Sequence, residues 1–205
     1  MNQLSELFEQ ASAAYRGGDL MEAEGVCQRI IRSHPNSANA WYLLAMIAHD
    51  QANHESAAER MDQAVQLAPD DPEYLAHAAE IFRLARRLDD ALTAARQAVR
   101  LDPQHPATHN NLGMVPQTRG EWDRAESCYR QAIRLDGGYY RAPNNLGNIL
   151  ILQGRLLEAA DILREALRRR PNNPQALNAM GIVLQRQRKL GSTTHLTTGV
   201  SYGDV

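Results

Sequence analysis

ANAWYLLAMIAHDQANHESAAERMDQAVQLAPDD, residues 38–71, holds two stretches rich in alanine, a polar break at Ala52-Asn53 between them, and a proline, Pro69, near its end. The same outline recurs at intervals of 34 residues. Prolines stand at 35, 69, 103 and 171, and position 137, the missing member of that series, is a glycine. Both residue types interrupt helices, so a breaker at a constant interval divides the chain into equal units. With the breaker taken as position 32, the units are 4–37, 38–71, 72–105, 106–139 and 140–173, and a sixth opens at 174 and runs to about 190.

Other positions fall into this frame without adjustment. Position 20 is Ala23, Ala57, Ala91, Ala125 and Ala159; position 8 is always small, as Ala11, Ala45, Ala79, Gly113, Gly147 and Gly181; position 27 is Ile30, Ala64, Ala98, Ala132 and Ala166. Two antiparallel helices approach closely only where neither carries bulk, so these are expected contact points. Bulk comes from Leu44, Leu112, Leu146 and Met180 at position 7, and from Cys27, Met61, Tyr129 and Leu163 at position 24. Mid-unit turns are visible at Gly17-Gly18-Asp19, Ala52-Asn53, Arg86-Arg87, Arg119-Gly120 and Gln153-Gly154. Each unit therefore reads as helix, turn, helix. One such hairpin cannot bury its apolar faces alone, but stacked neighbours can. The expected fold is all-α, a solenoid of five antiparallel helix hairpins plus one unpaired first helix.

Composition agrees with that expectation. The 205 residues are 43% hydrophobic, 22% charged and 5% aromatic, with thirty alanines but only two phenylalanines and two tryptophans, which favours closely packed helices over an aromatic-centred core. No apolar run approaches the ~18 residues of a membrane span, and MNQLSELFEQ has no signal-peptide character, so the expected location is cytoplasmic, with neither membrane nor nucleic acid as partner. Charge is polarised along the chain: residues 1–103 carry 9 Arg against 16 acids, or −7, and residues 104–205 carry 13 Lys plus Arg against 8 acids, or +5. Such a rod could bind charged partners at its ends, although solvated outer faces that differ account for it as well. Cys27 and Cys128 are far apart and outside any CxxC pattern, which reads as two small buried hydrophobes.

The recurring residues resemble the tetratricopeptide repeat, whose signature over 34 residues is W/Y-x2-L-G-x2-Y, then Ala, an aromatic, Ala and Pro. Trp41, Leu44, Ala45, Ala57, Ala64 and Pro69 match it in the second unit, as do Leu112, Gly113, Ala125, Tyr129 and Ala132 in the fourth. The resemblance covers residues 4 to about 190 and implies a right-handed superhelix with the first helices lining a concave groove. Carried over residue by residue, the family's ligand-facing positions 2, 5, 6, 9, 12 and 13 include Tyr42, His77, Glu80 and Arg83 in the first half of the chain. Further on they include Asn110, Asn111 and Gln117, then Arg141, Asn144, Asn145 and Asn148, then Gln175 and Asn178. A row of carboxamides offers donors and acceptors alike and suits the backbone of an extended peptide; solubility of an exposed helix face is the plainer account. The segments HNNLG (109–113) and PNNLG (143–147) are similar to the repeat region of protein O-linked N-acetylglucosamine transferases, where asparagine recurs at position 6, although here only Asn111 and Asn145 hold that position.

Nothing in the chain spells catalysis. There is no phosphate-binding glycine loop, no GxSxG and no HExxH, and Pro106 separates His105 from His109, so no cofactor and no metal is expected. The expected function is a non-enzymatic scaffold that binds a partner protein or peptide in its groove. Two alternatives are a substrate-recruiting part of a larger glycosyltransferase and a self-associating array. Two places break the pattern. Pro116, at position 11 inside a first helix, should kink or end that helix near 113–116. After Leu190, GSTTHLTTGVSYGDV has no helical periodicity; a flexible tail over 191–205, a short strand that pairs elsewhere, or a chain cut or frameshifted relative to a longer ancestor would each account for it, and each leaves Leu177, Met180 and Leu184 of the last helix exposed and open to self-association.

Overall fold

The computed structural model describes residues 3–197, with side chains to 189. Among them are eleven α-helices in five hairpins and one more first helix. The hairpins are α1 (Gln3–Arg16) with α2 (Leu20–Ser33), α3 (Ala38–Asp50) with α4 (His54–Leu67), and α5 (Pro72–Leu84) with α6 (Leu88–Leu101). They continue with α7 (Pro106–Thr118) and α8 (Trp122–Leu135), then α9 (Arg141–Leu152) and α10 (Leu156–Arg169), and close on α11 (Pro174–Thr197). First helices begin at 38, 72, 106 and 174, where the 34-residue frame opens its units; α9 starts one residue late, at Arg141. Each hairpin packs on the next, so the core runs along the array in successive clusters.

Local chemistry sets the boundaries. Asp19, Asn53 and Asp71 accept hydrogen bonds from backbone N–H groups of the helices they precede, and Pro72 and Pro106 occupy first-turn positions where no N–H is needed. All five mid-hairpin turns pass through a positive φ, at Gly18, Ala52, Arg86, Gly120 and Gly154. Three are glycine; Ala52 and Arg86 hold the same conformation at a steric cost of about 1 kcal/mol each. The periodic prolines do more than stop a helix. Pro35, Pro69 and Pro103 offer their carbonyls to Trp41 Nε1 (2.9 Å), Gln97 Nε2 (2.7 Å) and His109 Nε2 (2.8 Å), which closes the junctions between units.

Position 8 shows why the frame demands small residues. A Cβ on Gly113 would lie 2.7 Å from the Tyr129 ring, and one on Gly147 would lie 2.8 Å from Leu163. The bulky residue at position 24 sits directly on the glycine. Alanines 23, 57, 91, 125 and 159 at position 20 are fully buried.

Of the two outcomes expected from sequence, a kink or an early end, the early end does not occur at Pro116. The helix runs on to Thr118, because the missing N–H removes only one bond and the later N–H of Arg119 still reaches the Val115 carbonyl at 3.2 Å. The ring is buried. Beside it lies a cleft of about 300 Å³ between α6, α7 and α8, lined among others by Leu92, Leu112, Val115 and Cys128. The tail also differs from expectation: the backbone stays helical past Leu190 to Thr197, and residues 198–205, the rest of the expected flexible tail, lie outside the described residues.

Arginine makes up 21 of the 22 basic residues, and at two of the mid-hairpin turns it ties neighbouring hairpins together. Arg87 grips Asp62 of the preceding hairpin through both terminal nitrogens (2.7 and 3.0 Å) while its Nε holds Asp90 at 2.8 Å. Arg155 likewise bridges Glu126 (2.6 Å) and Glu158 (2.6 Å). A planar fork can hold two carboxylates at fixed angles; an ammonium cannot. Burial alone would raise the Glu126 carboxyl, but hydrogen bonds from Arg155 and Arg130 outweigh it and hold the pKa below the ordinary range. A depressed folded pKa contributes stability above the unfolded value that is lost as pH falls through the folded one. Glu126→Gln is therefore expected to lower Tm at pH 7, and the gap to the parent protein to close below about pH 4, as read by circular dichroism melts across that range.

Candidate functional site

The first helices α3, α5, α7 and α9 lie side by side, and residues at positions 5 and 6 form the seam between them. Their partners stand 35 residues apart rather than 34. Tyr42 meets His77 Nδ1 at 2.9 Å, Asn111 Nδ2 donates to the Ala76 carbonyl at 3.2 Å, and Asn145 Nδ2 donates to Asn110 Oδ1 at 2.9 Å. Neighbouring first helices are staggered by one residue, which brings position 6 of each unit against position 5 of the unit before.

Toward the N-terminal side the seam is aromatic. The rings of Tyr42 and Tyr74 stack at 4.4 Å with an interplanar angle of 8°. The Tyr42 hydroxyl donates to Glu73 Oε1 at 3.3 Å, which leaves it to accept from His77. Burial, reinforced by the nearby Glu73 carboxylate, pushes the Tyr42 phenol well above its usual range, and burial with Asp71 raises that of Tyr74 to about 12. Both phenols are thus kept protonated within a set of close hydrogen bonds.

Toward the C-terminal side the seam is made of amides. Asn110 is fully buried; it accepts from Asn145 and donates to Asn111 Oδ1 at 3.3 Å. Asn144 donates to Gln175 Oε1 at 3.2 Å and faces Asn173, whose oxygen caps α11. Over this seam opens a cleft of about 340 Å³, lined by Glu80, Met114, Tyr140, Arg141, Gln175 and the asparagines 110, 144, 145 and 148. Arg141 hydrogen-bonds to Tyr140, which holds that phenol below its ordinary value, and the Arg170 guanidinium lies 4.5 Å over the Tyr140 ring. The cleft thus combines a cationic and aromatic wall, one carboxylate and a floor of amides.

The residues expected from sequence divide accordingly. Asn110, Asn144, Asn145 and Asn148 come together in the cleft; Tyr42 and His77 form the separate aromatic seam; Asn178 is exposed on α11. Several amides expected to face a ligand are hydrogen-bonded within the protein. Asn110 is buried, Asn111 is bound to Ala76, and Gln117 accepts from the Tyr129 hydroxyl, a buried donor that needs a partner. Arg83 is half-buried with its Nε lacking an acceptor. Sequence reasoning passed over Tyr140 and Met114. Tyr140 belongs to the one junction where Gly137 replaces proline: Arg169 packs where a Cβ on Gly137 would lie 2.7 Å away, α9 begins late, and Tyr140 becomes its N-cap. His105 and His109 have backbone partners, Ala107 N–H and the Pro103 carbonyl. Burial raises the Cys27 thiol to about 11 and raises that of Cys128 as well, so neither is a ready thiolate. Among the described residues no helix is long and apolar enough to cross a membrane.

A family model described as tetratricopeptide repeat matches residues 8–72, 48–106 and 110–174. No curated protein compared matches the chain in sequence. Among solved structures, PilW, described as a widely conserved type IV pilus biogenesis factor, is 20% identical with a TM-score of 0.76 and 94% coverage of both chains. TTC0263 of Thermus thermophilus, a thermophilic TPR protein, is 22% identical with a TM-score of 0.71, covering 89% of this chain and 99% of its own. YrrB, described as a TPR protein with an unusual peptide-binding site, is 18% identical with a TM-score of 0.68, covering 84% and 89%. At these identities the likeness is one of fold.

Proposed function

The chain belongs to the tetratricopeptide-repeat family, and from that premise we propose that it is a non-catalytic scaffold that holds an extended segment of a partner protein across the cleft between α7, α9 and α11. The observation that carries this reading is the convergence of Arg141, Tyr140, Glu80 and the exposed amide of Asn148 over a floor of asparagines whose positions are fixed by the seam. Amide donors and acceptors fit a peptide backbone, and Arg141 supplies an anchor for a carboxylate beside it. Seam bonds fix the floor before a ligand arrives, which reduces the ordering cost of binding. The peptide-binding description of YrrB supports the reading by analogy of fold.

The test is a peptide array probed with the purified chain, followed by titration of the strongest binder. Arg141→Ala and Asn148→Ala are each expected to weaken it about tenfold, or ~1.4 kcal/mol, with melting curves unchanged. Binding that survives both substitutions overturns the site. A second reading, in which the array recruits substrates for a larger glycosyltransferase, draws on asparagine at position 6 in two units, Asn111 and Asn145. Sequencing of the gene beyond the codon for Leu190 tests it, and no catalytic domain in any frame would remove it.

A further inference from the structure

The two ends of the array are built differently. In units two to six, position 3 of the first helix (Ala40, Tyr74, Thr108, Ala142, Ala176) and position 10 (Ile47, Ile81, Val115, Ile149, Val183) pack on the preceding hairpin and are at most 7% exposed. On α1 the same positions are Glu6 and Ala13, with Glu9 at position 6, all exposed. The N-terminal end is therefore solvated by substitution.

At the other end the corresponding change has not been made. Leu75, Leu146 and Leu150, at positions 4, 7 and 11 of complete units, are at most 1% exposed beneath their second helices, whereas Leu177 and Leu184 of α11 are 50% and 56% exposed. Gly113 and Gly147 are pressed by Tyr129 and Leu163, whereas a Cβ on Gly181 would meet nothing within 4 Å. Among the described residues α11 keeps the seat for a second helix, and none of them fills it.

Charge indicates what fits. Residues 174–189 contain no acid and end in Arg186, Arg188 and Lys189. A helix packed antiparallel on α11 places its first turn beside that basic end, and the second helices of this chain all carry acid there: Glu22, Glu55, Asp89 with Asp90, Asp123 and Glu158. We propose that the exposed face of α11 receives, from another polypeptide, an amphipathic helix with an acidic first turn and one bulky apolar residue that seats on Gly181. This surface is separate from the groove and does not depend on the groove's ligand.

The probe is a labelled peptide of residues 155–170, RLLEAADILREALRRR, the chain's own second helix of the fifth unit, titrated against the full chain by fluorescence anisotropy. Saturable binding is expected, with at least a tenfold loss on Gly181→Leu, which fills the seat at no packing cost, and on Leu184→Glu. A peptide carrying Leu163→Asp is expected not to bind. Equal binding to the parent chain and to Gly181→Leu, or no binding at all, overturns the proposal. So does a concentration-dependent dimer in sedimentation that Leu184→Glu abolishes, because a second copy would then be the occupant. Binding that appears only after deletion of residues 198–205 overturns it too, by showing that the chain covers its own face.

Discussion

Gly147→Leu is expected to lower the melting temperature by roughly 10 °C, while Gly181→Leu leaves it unchanged or raises it slightly. The two glycines occupy the same position of neighbouring units and differ in what faces them. A side chain on Gly147 meets Leu163, itself fully buried and unable to withdraw, with its nearest methyl 2.8 Å from the first added carbon. Forcing a whole isobutyl group into that crossing separates α9 from α10 at a cost of about 3 kcal/mol, at the upper end of overpacking effects. For a chain of this size that corresponds to about 2–4 °C per kcal/mol. At Gly181 the same substitution enters open space, and leucine is favoured over glycine in a helix by somewhat less than ~1 kcal/mol. Circular dichroism melts of the two variants side by side decide the matter. Equal destabilisation would mean that position 8 is governed by the backbone rather than by the second helix above it.

That contrast also shows what the sequence reveals and where it falls silent. The 34-residue frame was legible because each marker acts locally: a proline that stops a helix, a small residue at a crossing, a turn that needs positive φ. Such requirements recur unchanged in every unit, so position 20 is alanine five times over. The seam of the groove is different. Its partners, Asn111 with Ala76 and Asn145 with Asn110, stand 35 residues apart. The repeat period marks the units but not the bonds between them, so it does not show that Asn110, in the floor of the cleft, is also the buried hub of the seam. Tyr140 was hidden for a related reason. Arg169 packs against Gly137, α9 starts one residue later than the frame, and Tyr140, which stands outside the groove positions, forms part of the cleft wall. The use of arginine at Arg87 and Arg155 is likewise visible only in the folded chain, where each, just ahead of a second helix, bridges two carboxylates on two hairpins.

Pro116→Leu is expected to stabilise the protein by up to about 3 kcal/mol, the cost of an interior proline relative to an ordinary helix former. Two effects act in the same direction. Leucine restores the N–H that should bond to the Leu112 carbonyl, and its side chain extends into the cleft of about 300 Å³ that lies beside the proline ring. The equivalent residue of the fifth unit, Leu150, is completely buried beneath its second helix, so the geometry of this position accepts leucine. The turn that follows is not disturbed, because the Pro116 carbonyl, which accepts from Arg119 and Glu121 N–H, belongs to the backbone and is kept. A rise in Tm of up to roughly 6–12 °C follows at 2–4 °C per kcal/mol, with hydrogen exchange slowed most in α7. An unchanged Tm would mean that the helix gains nothing from the restored bond and that the cleft is held open by its neighbours, leaving the proline as a neutral occupant of the third turn.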